Sequence, residues 1–326
     1  MEIVSVSIIR NESDILETFV RYHLQIVDHM IIVNHRSTDS SGEILKNLVK
    51  EGAKLELIEE NALEQPQGRV LTTMMKRAAR DYGADWVIPL DADEFITAPG
   101  GSSVREVLSG FPRDKVVHMP WRTYVPLPTD DWTEANVLSR IRHRRGAENP
   151  QSYKVCIPAC YARKRQAELL FGSHRLMKRS FFSKKEYPYA HSDRVALAHF
   201  PVRSGDQVIT KAITGWLSCL AKPRRAPNEN MHLKQLYDRF QAGFTVGYDE
   251  LTAIALGYAG DPQLCLKDID VVDDPVLPEA GDIILRYGTS YESRPLAILA
   301  HLGEDFASAI ADVRRNNICV KKRIHG

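Results

Sequence analysis

A chain of 326 residues with 44% apolar and 26% charged residues can bury a core large enough for one or two domains, which excludes a disordered or fibrous protein. Its net charge of +1 supplies no bulk field toward nucleic acid or a membrane surface.

Residues 2–9, EIVSVSII, read as a buried strand rich in β-branched side chains. A helix is expected from about Asp14 to Val27, because Ile15, Phe19, Val20, Leu24 and Val27 share one helical face. HMIIVN, residues 29–34, is a second strand. SSGEILKNLVKEG follows as a helix, opened by Ser40 three residues before Glu43 in capping-box spacing and closed at Gly52. KLELIE, residues 54–59, is a third strand. A helix then runs from roughly Gly68 to Tyr82 and stops at Gly83, and DWVIPL, residues 85–90, is a fourth strand. The β-α-β-α-β-α-β order predicts a Rossmann-like α/β fold: a mainly parallel sheet with helices on both faces.

In such a sheet, ligands bind beyond the carboxyl ends of the strands. RNES follows the first strand, NHRSTDSS the second and DADEF the fourth, so three polar clusters are expected at one rim. Only the last carries paired acids. WVIPLDADEF, residues 86–95, runs an apolar strand straight into Asp91, Asp93 and Glu94, which repel one another unless a positive partner stands near. The D-x-D spacing puts Asp91 and Asp93 on one side of an extended chain. Two hard oxygen donors there suit Mg²⁺ or Mn²⁺, with a diphosphate completing the shell. The plain alternative is a solvated acidic turn.

Together these segments carry a resemblance. IIRNESDILETFVRYHLQIVDHMIIVNHRSTDSSGEIL, residues 8–45, followed by WVIPLDADEF, resembles the family-2-type glycosyltransferases with the GT-A fold. More closely it resembles a bacterial subgroup with an R-N-E loop, a Y-H-L helix and an S-T-D turn. The likeness is strong over residues 3–96 and thinner through GSHRL (172–176), LAHFPVRS (197–204) and KAITGWLSCLAK (211–222). It implies that D-x-D-E-F binds metal and nucleotide-sugar. Arg10, Asn11 and Glu12 would line the nucleotide pocket, and Asp39 would face the base or ribose. Asp91 would approach the ribose or metal, Asp93 would be the main metal ligand, and Glu94 would hold neighbouring loops. The chain departs from the pattern ahead of S-T-D, where many relatives carry an acid and this one has Asn34 and His35. That departure bears on base specificity: UDP is the default carrier the resemblance implies, with GDP and dTDP left open. A late histidine in such enzymes completes the metal shell or meets the diphosphate, which marks His199 and His174. Arg203, in PVRS, offers a fork of donors to phosphate. For each, the bland reading is a hydrogen-bonded structural histidine or a surface arginine; for His23, packing is the favoured reading.

Residues 97–200 are less legible. HMPWRTYVPL is expected as an aromatic-rich strand and DDWTEANVLSR as a loop entering a helix or strand. An inverting transfer needs a carboxylate to take the acceptor hydroxyl's proton. Asp131 and Glu134 are the candidate bases, Asp130 lies beside them, and a solvated turn is the alternative. RIRHRRG, residues 140–146, is the densest basic run. It admits a nucleic-acid patch, a grip on an acidic acceptor glycan together with YARKRQ, or a solvated loop. No aromatic is interleaved in it, which weighs against nucleic acid.

From about residue 205 the pattern turns helical, in DQVITKAITGWLSCLAK, MHLKQLYDRFQAG and DELTAIALGYAG. A Pro- and Asp-rich stretch at 273–282 interrupts it, and PLAILAHLGEDFASAIADVRRNN closes it. The expected organisation is a GT-A-like nucleotide-sugar-binding catalytic domain over residues 1–205 with a helical extension over 206–326 packed on it.

The resemblance implies a metal-dependent glycosyltransferase, using Mn²⁺ or Mg²⁺. It would carry a sugar from a nucleotide-diphosphate donor, a UDP-sugar by default, to a hydroxyl of a glycan or glycolipid, with inversion. A nucleotide-sugar pyrophosphorylase is the enzyme alternative, although IIRNESDIL lacks a Gly-rich phosphate loop. A non-enzymatic nucleic-acid or glycan-binding protein would rest on the Arg run alone. No nucleic-acid partner is expected, and the oligomeric state is open. No apolar run approaches the ~20 residues of a bilayer span, and the run around Glu2 and Arg10 is no secretion signal. The basic end VKKRIHG is too short to commit the chain to membrane docking. A cytoplasmic protein is expected, with peripheral association at the inner face of the membrane left open. The scattered cysteines Cys156, Cys160, Cys219, Cys265 and Cys319 fit buried thiols in a reducing compartment, and the Cys156–Cys160 spacing lacks the second pair a structural zinc needs.

Overall fold

The structure is a computed structural model that describes residues 1–62, 67–98, 100, 102–180, 183–221, 231–260, 265–288, 298–307 and 310. The N-terminal part alternates as expected: β1 (Ile3–Ile9), α1 (Leu16–His23), β2 (His29–His35), α2 (Ser41–Lys50), β3 (Leu55–Glu60), α3 (Gln67–Asp81) and β4 (Trp86–Pro89). There follow β5 (Glu94–Thr97), α4 (Val104–Ser109), β6 (Val116–Thr123), α5 (Val137–Arg140), β7 (His143–Arg145), β8 (Tyr153–Pro158), α6 (Ala159–Ala162) and β9 (Ala167–Leu169). Then come β10 (Leu176–Arg179), β11 (Lys184–Glu186), β12 (Tyr189–His191), β13 (Ala196–His199), α7 (Gly205–Leu220), α8 (Met231–Gln241), α9 (Tyr248–Gly257) and β14 (Val271–Asp273).

The main sheet has the order β3-β2-β1-β4-β8-β6-β13-β5, with β12 beside β6. The first four strands are mutually parallel; β8 runs antiparallel to both β4 and β6, and β13 antiparallel to β5. β9, β10 and β11 form a small antiparallel sheet, and β7 pairs with β14.

Alternation along the strands divides the core. Ile3, Ile9, Ile32 and Ile88 pack with Leu16, Phe19 and Leu45 of α1 and α2 on one face. Val4, Val6, Ile31 and Val87 pack with Leu71, Met75 and Ala78 of α3 on the other. That is the expected mainly parallel α/β sheet covered on both sides, and the period-2 and period-3.6 patterns are its cause.

Three local expectations differ. Helix α1 is shorter than predicted, because the chain turns after His23 and the Asp28 carboxylate accepts the Ile3 N–H at 2.8 Å. The Ser40–Glu43 box does not form; Asp39 Oδ1 accepts the Ser41 N–H at 2.9 Å instead. A full capping box appears unannounced at Ser103 and Glu106, opening α4. Gly52 (φ 85°) and Gly83 (φ 65°) close α2 and α3 in the left-handed conformation that favours glycine.

Past residue 205, α7 to α9 are helical as expected, 273–282 holds no helix, and 298–307 is helical again. Much of the last predicted segment, and VKKRIHG with Cys319, lies outside the described residues. The backbone N–H groups of Arg286, Tyr287 and Gly288 converge on Glu17 of α1, which ties this late segment to the first helix. Among the described residues no helix is long and apolar enough to cross a membrane. Cys156 and Cys219 are buried and Cys160 and Cys265 exposed, all as free thiols.

Candidate active site

β1 lies between β2 and β4, so the strand order reverses there, and the carboxyl ends of β1 and β4 are where a ligand crevice belongs in such a sheet. The loops after β1 and β2 are latched across it. Asn11, held at φ 57°, donates its N–H to Ser37 Oγ (3.1 Å) and accepts the Thr38 N–H through Oδ1 (2.7 Å). The Glu12 N–H reaches Ser41 Oγ (2.9 Å) and the Ser13 N–H reaches Asp39 Oδ2 (3.0 Å). Asp39 is therefore a two-handed loop staple, accepting the Ser13 and Ser41 N–H groups through its two oxygens. Asn34, at the end of β2, is committed to Glu59 (2.9 Å), and His35 to the Ala62 carbonyl (2.7 Å). Arg10 donates to Ser218 Oγ of α7 at 2.9 Å, and burial lowers its guanidinium to about 10. Two buried donors in this loop, Asn11 Nδ2 and Arg10 Nε, have no partner among the described residues. Orphaned donors at such a crevice are what an anionic or carbonyl-bearing ligand satisfies.

The acidic segment is a turn, not the extended chain expected from its spacing: the Glu94 N–H bonds the Asp91 carbonyl (3.1 Å), and the Asp91 N–H bonds Glu94 Oε2 (3.0 Å). The positive partners are lysines. Lys154 enters from β8 because its pairing with Met119 of β6 points it under this turn. Its ammonium, with no exposed surface, lies 2.6 Å from Asp91 Oδ2 and 2.9 Å from Glu94 Oε2. Burial pulls the Lys154 ammonium down, but Asp91 and Glu94 more than offset this and it stays charged. Burial pushes the Glu94 carboxyl up to about 8. Yet its oxygens accept from Lys154, the Asp91 N–H and Trp121 Nε1 (3.0 Å), and that donor set favours the ionised form. Gln67, opening α3, donates to Asp91 Oδ1 at 3.0 Å.

Asp93 faces a second group of cations. Lys211 of α7 lies 2.7 Å from Asp93 Oδ2, and Arg203 Nη1 and His199 Nε2 each lie 3.7 Å from it. Burial raises the Asp93 carboxyl, but Lys211, His199 and Arg203 override it and hold it well below the usual carboxylate range. Arg203 itself has no exposed surface. It grips Asp14 through Nε (2.6 Å) and Nη2 (2.9 Å), Glu12 through Nη2 (2.5 Å) and the Phe200 carbonyl through Nη1 (3.1 Å). This corrects the expectation of a phosphate contact: the fork is spent on carboxylates, and Arg203 clamps the loop after β1 to the segment after β13. Burial pushes Glu12 up to about 7 despite that clamp.

The antiparallel pairing of β13 with β5 sets His199 opposite Glu94. Its ring stacks on Trp121 at 4.3 Å, and its Nδ1 is buried without a partner among the described residues. His174 meets the same indole edge-on at 5.2 Å and binds the Tyr153 carbonyl through Nδ1 at 2.7 Å. Trp121 thus contacts both histidines, and only His199 contacts Asp93. His23 is a fully buried core residue, bonded to the Phe19 carbonyl and the Ile96 N–H.

Among the described residues no group of three or more His, Cys, Asp or Glu side chains forms a ready metal cage. The donor chemistry nevertheless fits a hard divalent ion. Asp91 is 29% exposed at its side chain, the Asp93 carboxylate already carries a cation in the Lys211 ammonium, and Lys211 is 32% exposed on a flexible stem that can withdraw.

The candidate bases stand apart. Asp131 accepts from the Thr133 N–H and hydroxyl, Glu134 from the Asn136 N–H, and Asp130 from the Leu127 N–H, all as local turn contacts. One link joins this loop to the site: Arg140 donates to the Glu134 carbonyl (3.1 Å) and the Arg203 carbonyl (3.3 Å). The rest of the Arg run is also committed, Arg142 to Asp273, Arg144 to Asp274 and Arg145 to Glu148. The run cross-links loops and is not a free basic patch, which goes against a nucleic-acid or acceptor surface at residues 140–146; these pairs do not bear on YARKRQ, the other half of the anionic-acceptor reading.

Lys154, Lys211, Asp14, Gln67 and Trp121 were not anticipated. A signal existed for the first two. Each is a lone lysine inside an apolar segment, YKVCIP and VITKAITGW, where a buried lysine requires a partner.

The sequence matches the family description "Glycosyl transferase family 2" over residues 6–169. No curated protein matches the chain. Among solved structures it is similar to S. aureus TarS 1-349 in complex with UDP, at 13% identity and TM-score 0.37, covering 74% of this chain and 71% of that one. It is also similar to the mannosyltransferase PcManGT from Pyrobaculum calidifontis in complex with GDP-Man and Mn²⁺, at 14% identity and TM-score 0.40, covering 79% and 74%. Glucosyl-3-phosphoglycerate synthase from Mycobacterium tuberculosis, with Mn²⁺, UDP and glucosyl-3-phosphoglycerate, is 18% identical at TM-score 0.26 and covers 37% and 44%. At these scores the assignment rests on the family match.

Proposed function

The chain belongs to glycosyl transferase family 2 and is a glycosyltransferase, and from that premise we propose that it transfers a sugar from a nucleotide-diphosphate donor to a hydroxyl of a glycan or glycolipid, with inversion. A UDP-sugar is the default donor. The observation that carries this reading is the strand-order reversal, where a turn of three acids is met by two lysines and, among the described residues, by buried donors without a partner.

The nucleotide would lie against the latched loops, with Asn11 Nδ2 and Arg10 Nε donating to it and Asp39 beside the base or ribose. Asp93 and Asp91, supported by His199, would hold Mn²⁺ or Mg²⁺. The ion supplies neutralisation of the departing diphosphate. Lys211 supplies positive charge at the same place. Being partly exposed, it can turn from Asp93 to a phosphate oxygen without leaving the crevice. Lys154 and Gln67 fix the Asp91 carboxylate, and Trp121 fixes Glu94, so the turn is rigid before a donor arrives. Asp131 and Glu134 are kept as proposed bases on the strength of their loop alone, which Arg140 ties to Arg203. We read residues 1–205 as the catalytic domain and 206–326 as its helical extension, with α7 lending Lys211 to the site.

The test is a donor screen. UDP-, GDP- and dTDP-sugars are incubated with Mn²⁺ or Mg²⁺, and released nucleotide is measured. Release from one donor class, lost in Asp93→Asn, is expected. No release and no nucleotide binding with any carrier would overturn the proposal.

A further inference from the structure

We propose that the groove between α3 and the β9–β10 hairpin is an acceptor subsite, and that it takes an anionic glycan bearing carboxylate or phosphate groups along its length. The proposal rests on the transferase reading above and adds the class of acceptor. The groove encloses about 700 Å³, within the range of sites that hold small ligands or short oligomers.

Three observations carry it. The first is position. Gly68 and Phe171 line one end of the groove, and their chain neighbours lead to the acidic turn: Gln67 Nε2 donates to Asp91 Oδ1 (3.0 Å), and Gln67 Oε1 accepts the Gly172 N–H (3.2 Å). Gln67 thus links this end of the groove to the acidic turn, and a chain lying in the groove would run toward the reacting centre.

The second is charge. Arg69, Lys76, Arg165 and Arg179 line the groove against one carboxylate, Glu168, in a protein whose net charge is only +1. Arg69 and Lys76 lie seven residues apart on α3, about 10 Å along its axis, with Thr73 between them on the same face. The existing ion pairs are solvent-exposed: Arg69 hydrogen-bonds Glu60 at 3.2 Å with 66% of its side chain exposed, and Arg179 lies 3.7 Å from Glu168 with 71% exposed. Exposed pairs of this kind contribute little, so both guanidiniums are free to exchange a carboxylate of the protein for one of a ligand. Lys76 donates to the Arg165 carbonyl at 2.9 Å and so anchors the turn that carries the Arg165 guanidinium.

The third is surface chemistry. Phe171 lies at the head of the groove with 51% of its surface exposed, an apolar plane on which a sugar ring can rest. A nucleic acid would ask for a succession of stacking rings, and among the described residues Phe171 is the one aromatic that lines the groove.

The experiment uses the full chain and fluorescence anisotropy. The probe is a labelled oligoglucuronate, compared with a neutral glucan of equal length and a single-stranded RNA of equal charge. The variant Arg165→Glu/Arg179→Glu changes two exposed residues outside the donor crevice, and its UDP affinity is measured by calorimetry. The oligoglucuronate should bind the wild type, more weakly as salt rises from about 50 to 200 mM, and at least about tenfold more tightly than the glucan. The variant should lose about tenfold or more of that affinity with its UDP affinity unchanged. Equal binding of the neutral glucan, tighter binding of the RNA, or an unaltered variant would overturn the proposal. Failure of both proteins to bind any nucleotide would instead defeat the transferase reading, so the two failures are told apart.

Discussion

Lys154 offers the sharpest test of how the acidic turn is held. Lys154→Met keeps the length and the apolar stem and removes only the ammonium. In the wild type that ammonium lies 2.6 Å from Asp91 and 2.9 Å from Glu94, with Lys154 and Glu94 both fully buried. Its loss leaves Glu94 with the Asp91 N–H and the Trp121 indole N–H alone. Removing one partner of such a buried pair costs about 3–5 kcal/mol, because the other charge stays desolvated. For a chain of 326 residues, unfolding entropy of roughly 2 cal/mol/K per residue turns this into a fall of about 4–7 °C in Tm. Adding Glu94→Gln in the same chain removes the stranded charge, and the double variant should regain at least about half of the loss, a coupling of about 2 kcal/mol. Urea denaturation and thermal melts of the wild type, both single variants and the double variant supply the cycle. If Lys154→Met loses less than about 1 kcal/mol, or if the two losses simply add, then Lys154 does not neutralise the turn and the argument fails.

Three further outcomes are expected. In a thermal-shift matrix, Mn²⁺ together with UDP should raise the wild-type Tm more than either alone, and Asp93→Asn should abolish that synergy; its absence from the wild type with UDP, GDP and dTDP alike would refute metal dependence. Arg203→Lys keeps the charge but not the fork that spans Asp14 and Glu12, so it should lower stability by about 2–4 kcal/mol and weaken UDP binding through the displaced loop; unchanged urea midpoints and affinity would show that the clamp is idle. Burial lowers the His23 imidazole to about 3, so the unfolded chain takes up a proton that the folded chain refuses. Its neutral form is fully compatible with folding above about pH 6.5, and stability is lost as pH falls from there toward 3, by up to roughly 4–5 kcal/mol. The stability advantage of wild type over His23→Gln should therefore shrink from pH 7 to pH 4, and a constant difference would contradict it.

The N-terminal half of the fold was legible because its signals are local. Apolar period 2 in EIVSVSII and HMIIVN and period 3.6 in the intervening helices are consequences of side-chain geometry within a few residues. The alternation of such segments leaves few topologies open. The same reasoning placed RNES, S-T-D and DADEF at one rim, since parallel strands necessarily end together. It did not reveal the shape of the acidic segment, because an extended chain and a turn share the same D-x-D spacing; a hydrogen bond from Asp91 N–H to Glu94 decided between them. Nor did it reveal what balances the acids. Lys154 and Lys211 stand 63 and 118 residues from their aspartates. Arg203 stands 189 residues from Asp14. Coulomb energy depends on distance in space, and no pattern along the chain encodes that distance. The Arg run 140–146 shows the converse. Along the sequence it is a dense positive patch, but Asp273 and Asp274 come back through β14 to pair with it. Composition and periodicity determined the four parallel N-terminal strands, their covering helices and the rim where chemistry belongs. Which charges meet there, and which are neutralised elsewhere, was decided by the antiparallel return of β8 and β13 and by the packing of α7, contacts that exist only once the chain is folded.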